Sequence, residues 1–383
     1  MPEQIDRPPE RHPLNVILIN GSYADSLINF RGDMIRDLVA LGYEVHVSAP
    51  HIDSKAYAAI DAMGAHPHSL QLDRTGLNPI ADLRYFREML ALIRGVKPGL
   101  VVNYTIKPNI WGSFAARLIG VPVCSMVTGL GYVMIEGAGF KRRLVQGVAK
   151  RLYAAALAGN RVVIFQNDDD VRDFVRRGIV SREKVRTIRG SGVNLAHFSP
   201  RPLPPEPVFL MIARLLKTKG VSEYVEAAKA TKQRHPHARF LLVGMPDNGP
   251  DGISASETGD WQKNGIEYLG PQSDVRSAIA SASVYVLPSY REGTPRSVLE
   301  AMAMGRPILT TDVPGCRETV RPGENGLLVP ARDSTALRDA MIHMVSAADE
   351  RAEMGRVSLE MARELFDVSK VNLELFRHLS LVP

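Results

Sequence analysis

Two carboxylates in the second half of the chain have the types and spacing of a site for phosphates and hydroxyls: Glu292 and Glu300, with seven residues between them in EGTPRSVLE. Carboxylates are poor phosphate ligands but accept hydrogen bonds from sugar or ribose hydroxyls. Between the glutamates, Thr294 reads as a helix N-cap and Pro295 as the first helical residue, where a missing amide proton costs nothing. The unpaired amides from Thr294 to Ser297 would then suit a phosphate, with Arg296 adding positive charge. Together these residues point to a nucleotide-sugar pocket. Paired carboxylates also serve glycoside hydrolysis, but that reaction needs two acids flanking one bond at a fixed separation, and the loop-and-helix setting suits phosphate better.

Alternating strands and helices must position these groups. Val284 to Leu287 is a short apolar strand, the following Pro288, Ser289, Glu292 and Gly293 carry turn chemistry, and a helix through Val298 to Ala303 stops at Gly305 and Pro307. Upstream, Val208 to Ile212 is a strand that leads into the loop Arg214 to Gly220. The first half opens as a βαβ unit of Rossmann type: VILIN from Val16, a helical stretch from Phe30 to Leu41, then EVHVSA. GSYADS after the first strand carries no dinucleotide fingerprint, so Gly21 is either a point of close backbone approach to a ligand or a plain turn glycine. Alternation continues through helix Ile80 to Arg94, strands from Leu100, Val121 and Val162, and a helix from Phe140 to Leu157. Asp168 to Asp170 follow Asn167 at the start of a helix and read as first-turn acids rather than metal ligands, because adjacent side chains do not converge.

A proline-rich stretch, SPRPLPPEP, marks the best boundary in the 383 residues. The expected organisation is a disordered lead-in over 1–13, a Rossmann-like domain over 14–198, a linker over 199–207, a Rossmann-like nucleotide-sugar-binding domain over 208–366, and a C-terminal helix over 367–383 packing back on the first domain. Basic residues concentrate early: residues 1–200 hold 25 Lys and Arg against 18 Asp and Glu, and the remainder 22 against 23. An anionic partner for the first half is therefore expected, and the helix bearing Lys141, Arg142, Arg143, Lys150 and Arg151 is either a membrane-surface element or a helix with one solvated face. No apolar run reaches the ~18 residues of a spanning helix, and the polar, proline-rich start without an apolar stretch argues against a signal peptide. Cys124 and Cys316 are too far apart for a ligand pair, which fits a reducing cytoplasm and indicates no zinc site.

EGTPRSVLE resembles the E-x7-E motif of the retaining family-four glycosyltransferases, and ARLLKTKG is similar to that family's cation motif. NYTIKPNIWGSFAARLIGVP, VTGLGYV, FQNDDD and GSGVN extend the resemblance to a bacterial subgroup that elongates polyprenyl-diphosphate-linked sugars, over nearly the whole chain beyond residue 14. The resemblance implies the GT-B fold: two Rossmann-like domains with mainly parallel sheets facing across a cleft, the first of which binds the acceptor. It implies that Arg214 and Lys219 stabilise the leaving diphosphate, that Glu292 holds the donor sugar aided by amides from Gly293 to Arg296, and that Glu300 accepts from the ribose. Retention without a protein nucleophile and without a divalent metal or other cofactor is implied likewise.

Where many relatives carry a histidine, this chain has Thr128, so that role is not transferred. Lys107, with Thr128, Gly129 and Asn167, is the candidate set for acceptor or phosphate contacts. The expected partners are a UDP-sugar, a polyprenyl-diphosphate-linked saccharide and the anionic cytoplasmic face of the inner membrane, with no nucleic acid. A nucleotide-sugar epimerase and a basic membrane or nucleic-acid binding module are the competing readings.

Overall fold

The computed structural model describes residues 15–73, 78–129, 140–247, 249 and 251–383. The expected lead-in over 1–13 and Leu130 to Tyr132 of the glycine loop lie outside the described residues, as do the side chains of Lys141, Arg142 and Arg143. Two compact units result, one formed by residues 1–188 with 372–383 and the other by 189–371.

The first unit runs β1 (Val16–Asn20), α1 (Ala24–Ala40), β2 (Glu44–Pro50), α2 (Ser54–Asp61), β3 (Ala65–Leu70), α3 (Pro79–Val96), β4 (Leu100–Tyr104), α4 (Ser113–Ile119), β5 (Val123–Val127), α5 (Phe140–Ala158), β6 (Val162–Phe165), α6 (Asp168–Arg176) and β7 (Val185–Thr187). Its seven strands pair in the order β3-β2-β1-β4-β5-β6-β7, all parallel. Helices on both faces leave the central strands buried throughout, and so β4, β5 and β6 are continuous apolar or small-residue runs. Residues 372–383 belong to this unit, where Tyr43 donates to the Leu381 carbonyl at 2.7 Å and Asn372 to Asp37 at 2.7 Å.

In the second unit β8 (Val208–Ile212), α7 (Val221–Arg234), β9 (Arg239–Val243), α8 (Ala255–Lys263), β10 (Ile266–Gly270), α9 (Arg276–Ser281), β11 (Val284–Leu287), α10 (Arg296–Ala303), β12 (Ile308–Thr311), β13 (Gly326–Val329), α11 (Ser334–Ser346) and α12 (Ala348–Leu365) follow. The six strands pair in the order β10-β9-β8-β11-β12-β13, again all parallel. α13 (Val368–Leu379) carries the chain from this unit back to the first. The proline-rich stretch at 199–207 belongs to the second unit. Arg306, fully buried, donates to the carbonyls of Ile279, Ala280 and Pro202, and Arg351 donates to Pro205. Burial lowers the Arg306 pKa to about 10, and its three carbonyl partners take the place of the lost water.

In each sheet the strand order reverses once, between β1 and β4 in the first unit and between β8 and β11 in the second. The loops leaving the carboxyl ends of those strands diverge there, which is where an open α/β sheet offers room for a ligand.

Candidate active site

The second unit's reversal point gathers the motifs singled out in the sequence. Lys219 ends a short 3-10 turn (Lys217–Lys219) in the loop after β8, and Glu292 lies in the loop after β11. Their side chains form an ion pair, with 25% and 12% of each exposed. Ser289 donates to the same Glu292 oxygen at 2.8 Å, and the Glu292 amide donates to the Pro314 carbonyl at 3.0 Å, so two side chains hold the carboxylate and a backbone bond anchors its residue.

Glycines make this convergence sterically possible. Gly220, at φ +73°, sits so close to the Pro288 carbonyl that a β-carbon would come within 2.0 Å of its oxygen. Gly315, at φ +84°, stands against the Glu292 backbone, where a β-carbon would lie 2.3 Å from the carbonyl oxygen. Asp251 fixes the other side of the Lys219 turn, accepting from the Thr218 hydroxyl at 2.5 Å, while its own carbonyl accepts from the Lys217 amide. Gly190 of the GSGVN segment, which belongs to the second unit, lies against Thr294 in the same way. Asp251 and Gly315 were not singled out from the sequence. A Pro-Gly pair directly after a strand was the available signal for Gly315; Asp251 lies in a polar loop with no pattern of its own.

The helix after Glu292 starts later than the sequence suggests. α10 begins at Arg296 with Pro295 at the N-cap, and no side chain caps it, so Thr294 is a loop residue seated against Gly190. Arg296 and Glu300 are one turn apart and pair at 2.8 Å, both largely buried. Burial raises the Glu300 pKa to about 7, against the opposing pull of Arg296. Among the described residues no donor reaches the second oxygen of Glu300. Ser297 donates to the Ile212 carbonyl at 3.3 Å, beside the buried Tyr285 hydroxyl bonded to the same oxygen. Arg214 is separate from these contacts: it is 55% exposed, and its ion pair is with Asp247, at 3.7 Å, in the loop after β9.

At the first unit's reversal point an uncharged hydrogen-bonded chain lies near a buried cation, Arg31, whose guanidinium stands 5.3 Å from the Tyr104 ring centroid. Ser48 donates to Asn20 and Asn20 to Asn103, each at 2.7 Å, and the chain continues through Ser113 and Ser125 to Asn160. All six are buried. Gly21 adjoins the Tyr104 phenol, where a β-carbon would lie 2.3 Å from the hydroxyl oxygen; this gives the glycine a packing requirement. Burial raises the Tyr104 pKa to about 12.

Two candidate acceptor residues are occupied within the fold. Lys107 pairs with Asp82 at 2.7 Å with both side chains largely buried, which engages the charge that the sequence offered to a phosphate. Asn167 is the N-cap of α6, accepting from the Asp170 amide at 2.8 Å and donating to the Asp170 carboxylate, so its polar atoms serve the helix start. Thr128, half-buried, and Gly129, exposed, follow the carboxyl end of β5. On α5, Arg151 is exposed and Lys150 half-buried, and the apolar Val148 and Leu152 are exposed beside them.

Comparison with known proteins agrees with this picture. The family described as glycosyl transferases group 1 matches residues 206–347, and a glycosyl transferase 4-like domain matches residues 30–190. The chain is 30% identical, over 82% of its length and 85% of the relative's, to an N,N'-diacetylbacillosaminyl-diphospho-undecaprenol alpha-1,3-N-acetylgalactosaminyltransferase of Campylobacter jejuni. It is 26% identical, over 69% of its length and 71% of the relative's, to a UDP-Gal:alpha-D-GlcNAc-diphosphoundecaprenol alpha-1,3-galactosyltransferase of Escherichia coli. Among solved structures, a sucrose-phosphate synthase of Thermosynechococcus elongatus aligns with a TM-score of 0.78 at 22% identity, covering 96% of this chain and 99% of that one. Anabaena HepE in complex with UDP and glucose aligns with a TM-score of 0.78 at 17% identity, covering 96% and 99%.

Proposed function

We propose an activity from the premise that this chain belongs to the group 1 glycosyl transferases and has their GT-B fold. It is a glycosyltransferase rather than an epimerase or a binding module. The proposed reaction moves an N-acetylhexosamine or hexose from a UDP-sugar to a polyprenyl-diphosphate-linked saccharide, with retention at the anomeric carbon and no divalent metal in the transfer step.

The carrying observation is the pair of partly buried ion pairs, Lys219–Glu292 and Arg296–Glu300, set by Gly220 and Gly315 at the β8/β11 reversal. Without donor, each charge in these pairs is satisfied by the other. A nucleotide-sugar offers both members a replacement. The diphosphate takes the Lys219 ammonium, with Arg214 as a second cation, and the sugar hydroxyls take the Glu292 carboxylate. The second oxygen of Glu300 accepts from the ribose, and the amides from Gly293 to Arg296 support the sugar end. As the glycosidic bond breaks, the leaving diphosphate gains charge beside Lys219 and Arg214, whose stabilisation grows towards the transition state. The leaving phosphate oxygen takes the acceptor hydroxyl proton, and attack comes from the same face.

Likeness to two undecaprenyl-diphosphate-dependent transferases supports the acceptor class. The early excess of basic residues and the exposed Val148, Arg151 and Leu152 on α5 support action at the anionic cytoplasmic face of a membrane. No described helix is long and apolar enough to cross one. A panel of UDP-sugars offered with a lipid-diphosphate-sugar acceptor, in the presence of EDTA, tests the reading. The expected product is α-linked by NMR; a β-linked product overturns retention, and abolition by EDTA overturns metal independence.

A further inference from the structure

Away from the donor loops, the described residues bring together one set of metal-ligating side chains: Glu44 and His46 on β2 with His66 on β3, whose ligand atoms all lie within 4.8 Å of one another. The sequence dictates this arrangement. Alternate residues of a strand share a face, so Glu44 joins His46 and His66 joins His68. The parallel register sets His46 directly beside His66, with ring centroids 4.8 Å apart. Nε2 of His46 lies 2.9 Å from the Glu44 carboxylate, and its Nδ1 lies 2.8 Å from Nε2 of His68.

We propose that Glu44, His46 and His66 bind a divalent transition-metal ion of the zinc class, with His68 as a positioning residue that fixes the coordinating tautomer of His46. The two nitrogens of His46 divide the work. Nε2, on the carboxylate side, faces the ion, and Nδ1–H donates to His68, the arrangement in which a metal-bound imidazole is oriented through its other nitrogen. Nε2 of His68, 2.8 Å from Nδ1 of His46, is placed to accept that proton. Two imidazoles and a carboxylate form a donor set suited to zinc, with a fourth position left for water. Opening the Glu44–His46 contact from 2.9 Å to the ~3.3 Å between ligands on a tetrahedral ion is a small movement of an exposed glutamate. Coordination needs a bare Nε2 on His46 and an ionised Glu44, so any proton held between them is released to solvent as the ion binds.

Position defines what the ion does. Glu44 opens β2 and His66 is the second residue of β3, so the cluster sits at the amino ends of strands whose ligand-facing loops leave from the carboxyl ends. β3 is the edge strand, and Pro67 has no amide to give to a ladder. An ion bridging Glu44 and His46 to His66 ties that edge to β2. An open hollow of about 880 Å³, lined by Glu44, His46 and His68, gives entry from solvent.

The test uses the full chain, purified without a polyhistidine tag, with Zn²⁺ titrated calorimetrically and Co²⁺ read by its visible absorption. One ion per chain is expected, with a rise in Tm on Zn²⁺ addition. His66→Ala and Glu44→Ala, both at exposed positions, are each expected to weaken binding by at least ~10-fold and to remove the Tm rise, with circular dichroism unchanged. His68→Ala is expected to weaken binding ~10-fold, and His68→Gln, whose amide oxygen accepts from Nδ1–H, to recover part of it. Absence of saturable binding, or binding equal to wild type in both His66→Ala and Glu44→Ala, overturns the site. Equal loss in His68→Ala and His68→Gln overturns the positioning role.

Discussion

The two units are wound alike and filled differently. Each has a wholly parallel sheet with one reversal of strand order. In the second unit that point holds two ion pairs built from Lys219, Glu292, Arg296 and Glu300. In the first, an uncharged buried chain from Ser48 through Asn20 and Asn103 to Asn160 occupies the equivalent place. Surfaces differ as well. Among the described residues, ten of the twelve exposed large apolar side chains belong to the first unit, and only Met245 and Leu269 to the second. A fold therefore supplies the place for a site, and its chemistry comes from the side chains that line it. The charged point suits the charged leaving group of the proposed reaction; the uncharged chain ties neighbouring strands together through buried hydrogen bonds, with the Asn160 Oδ1 left without a partner among the described residues.

The sharpest way to break this contrast is to remove one lysine from each unit. Lys219→Ala is expected to lower kcat by ~100-fold or more, because a cation at a developing charge acts mainly in the transition state. Lys107→Ala, which removes a cation already neutralised by Asp82, is expected to leave kcat within ~10-fold, because an interaction equal in ground and transition states does not change kcat. Equal losses in steady-state assays of the two variants would end the distinction.

A glycine pair gives a smaller effect. Gly315→Ala places a β-carbon against backbone at a left-handed φ, and a loss of ~2 kcal/mol with weakened UDP binding is expected by chemical denaturation and calorimetry. Gly21→Ala meets the end of a tyrosine side chain, which can shift, so a loss nearer ~1 kcal/mol with UDP binding intact is expected.

The smallest effect is a pH dependence. Glu300 has a folded pKa raised to about 7, above its unfolded value of ~4.3. Between those values the folded state binds more protons, so this contribution to stability is full below the unfolded pKa and is lost as pH rises through about 7. Over the same range the carboxylate becomes the acceptor that a ribose requires, so UDP affinity is expected to rise while stability falls. Glu300→Gln is expected to flatten both profiles; an unchanged UDP profile would remove Glu300 from the ribose.

Much of this was readable before any coordinates. The strands at Val16, Val162, Val208 and Val284 begin where their apolar runs begin, because strands buried on both faces must be continuous apolar segments. Glu292 and Lys219 were legible as chemistry, yet their contact was not, since it depends on Gly220 and Gly315 bringing separate loops together. AHPHSL was not read as a strand at all. It has a proline and two histidines and no β-branched residue, and it forms β3 because an edge position tolerates Pro67. Missing that strand also hid the histidine cluster, which exists only across the β2/β3 register. Asn167 shows the reverse: a polar motif residue whose work is the local one of starting a helix.

The fixing of the proline-rich stretch by Arg306 and Arg351 has a consequence for how such enzymes recombine. A stretch that reads as a flexible hinge is tied to the second unit through the Pro202 and Pro205 carbonyls, and cutting within it would take one carbonyl partner from each of two buried guanidinium groups. A viable exchange of first units between relatives needs two seams instead of one, a first near residue 188 and a second near 372, with the prolines travelling with the second unit. On the proposed function, such an exchange would trade the acceptor as a cassette and leave the leaving-group chemistry untouched.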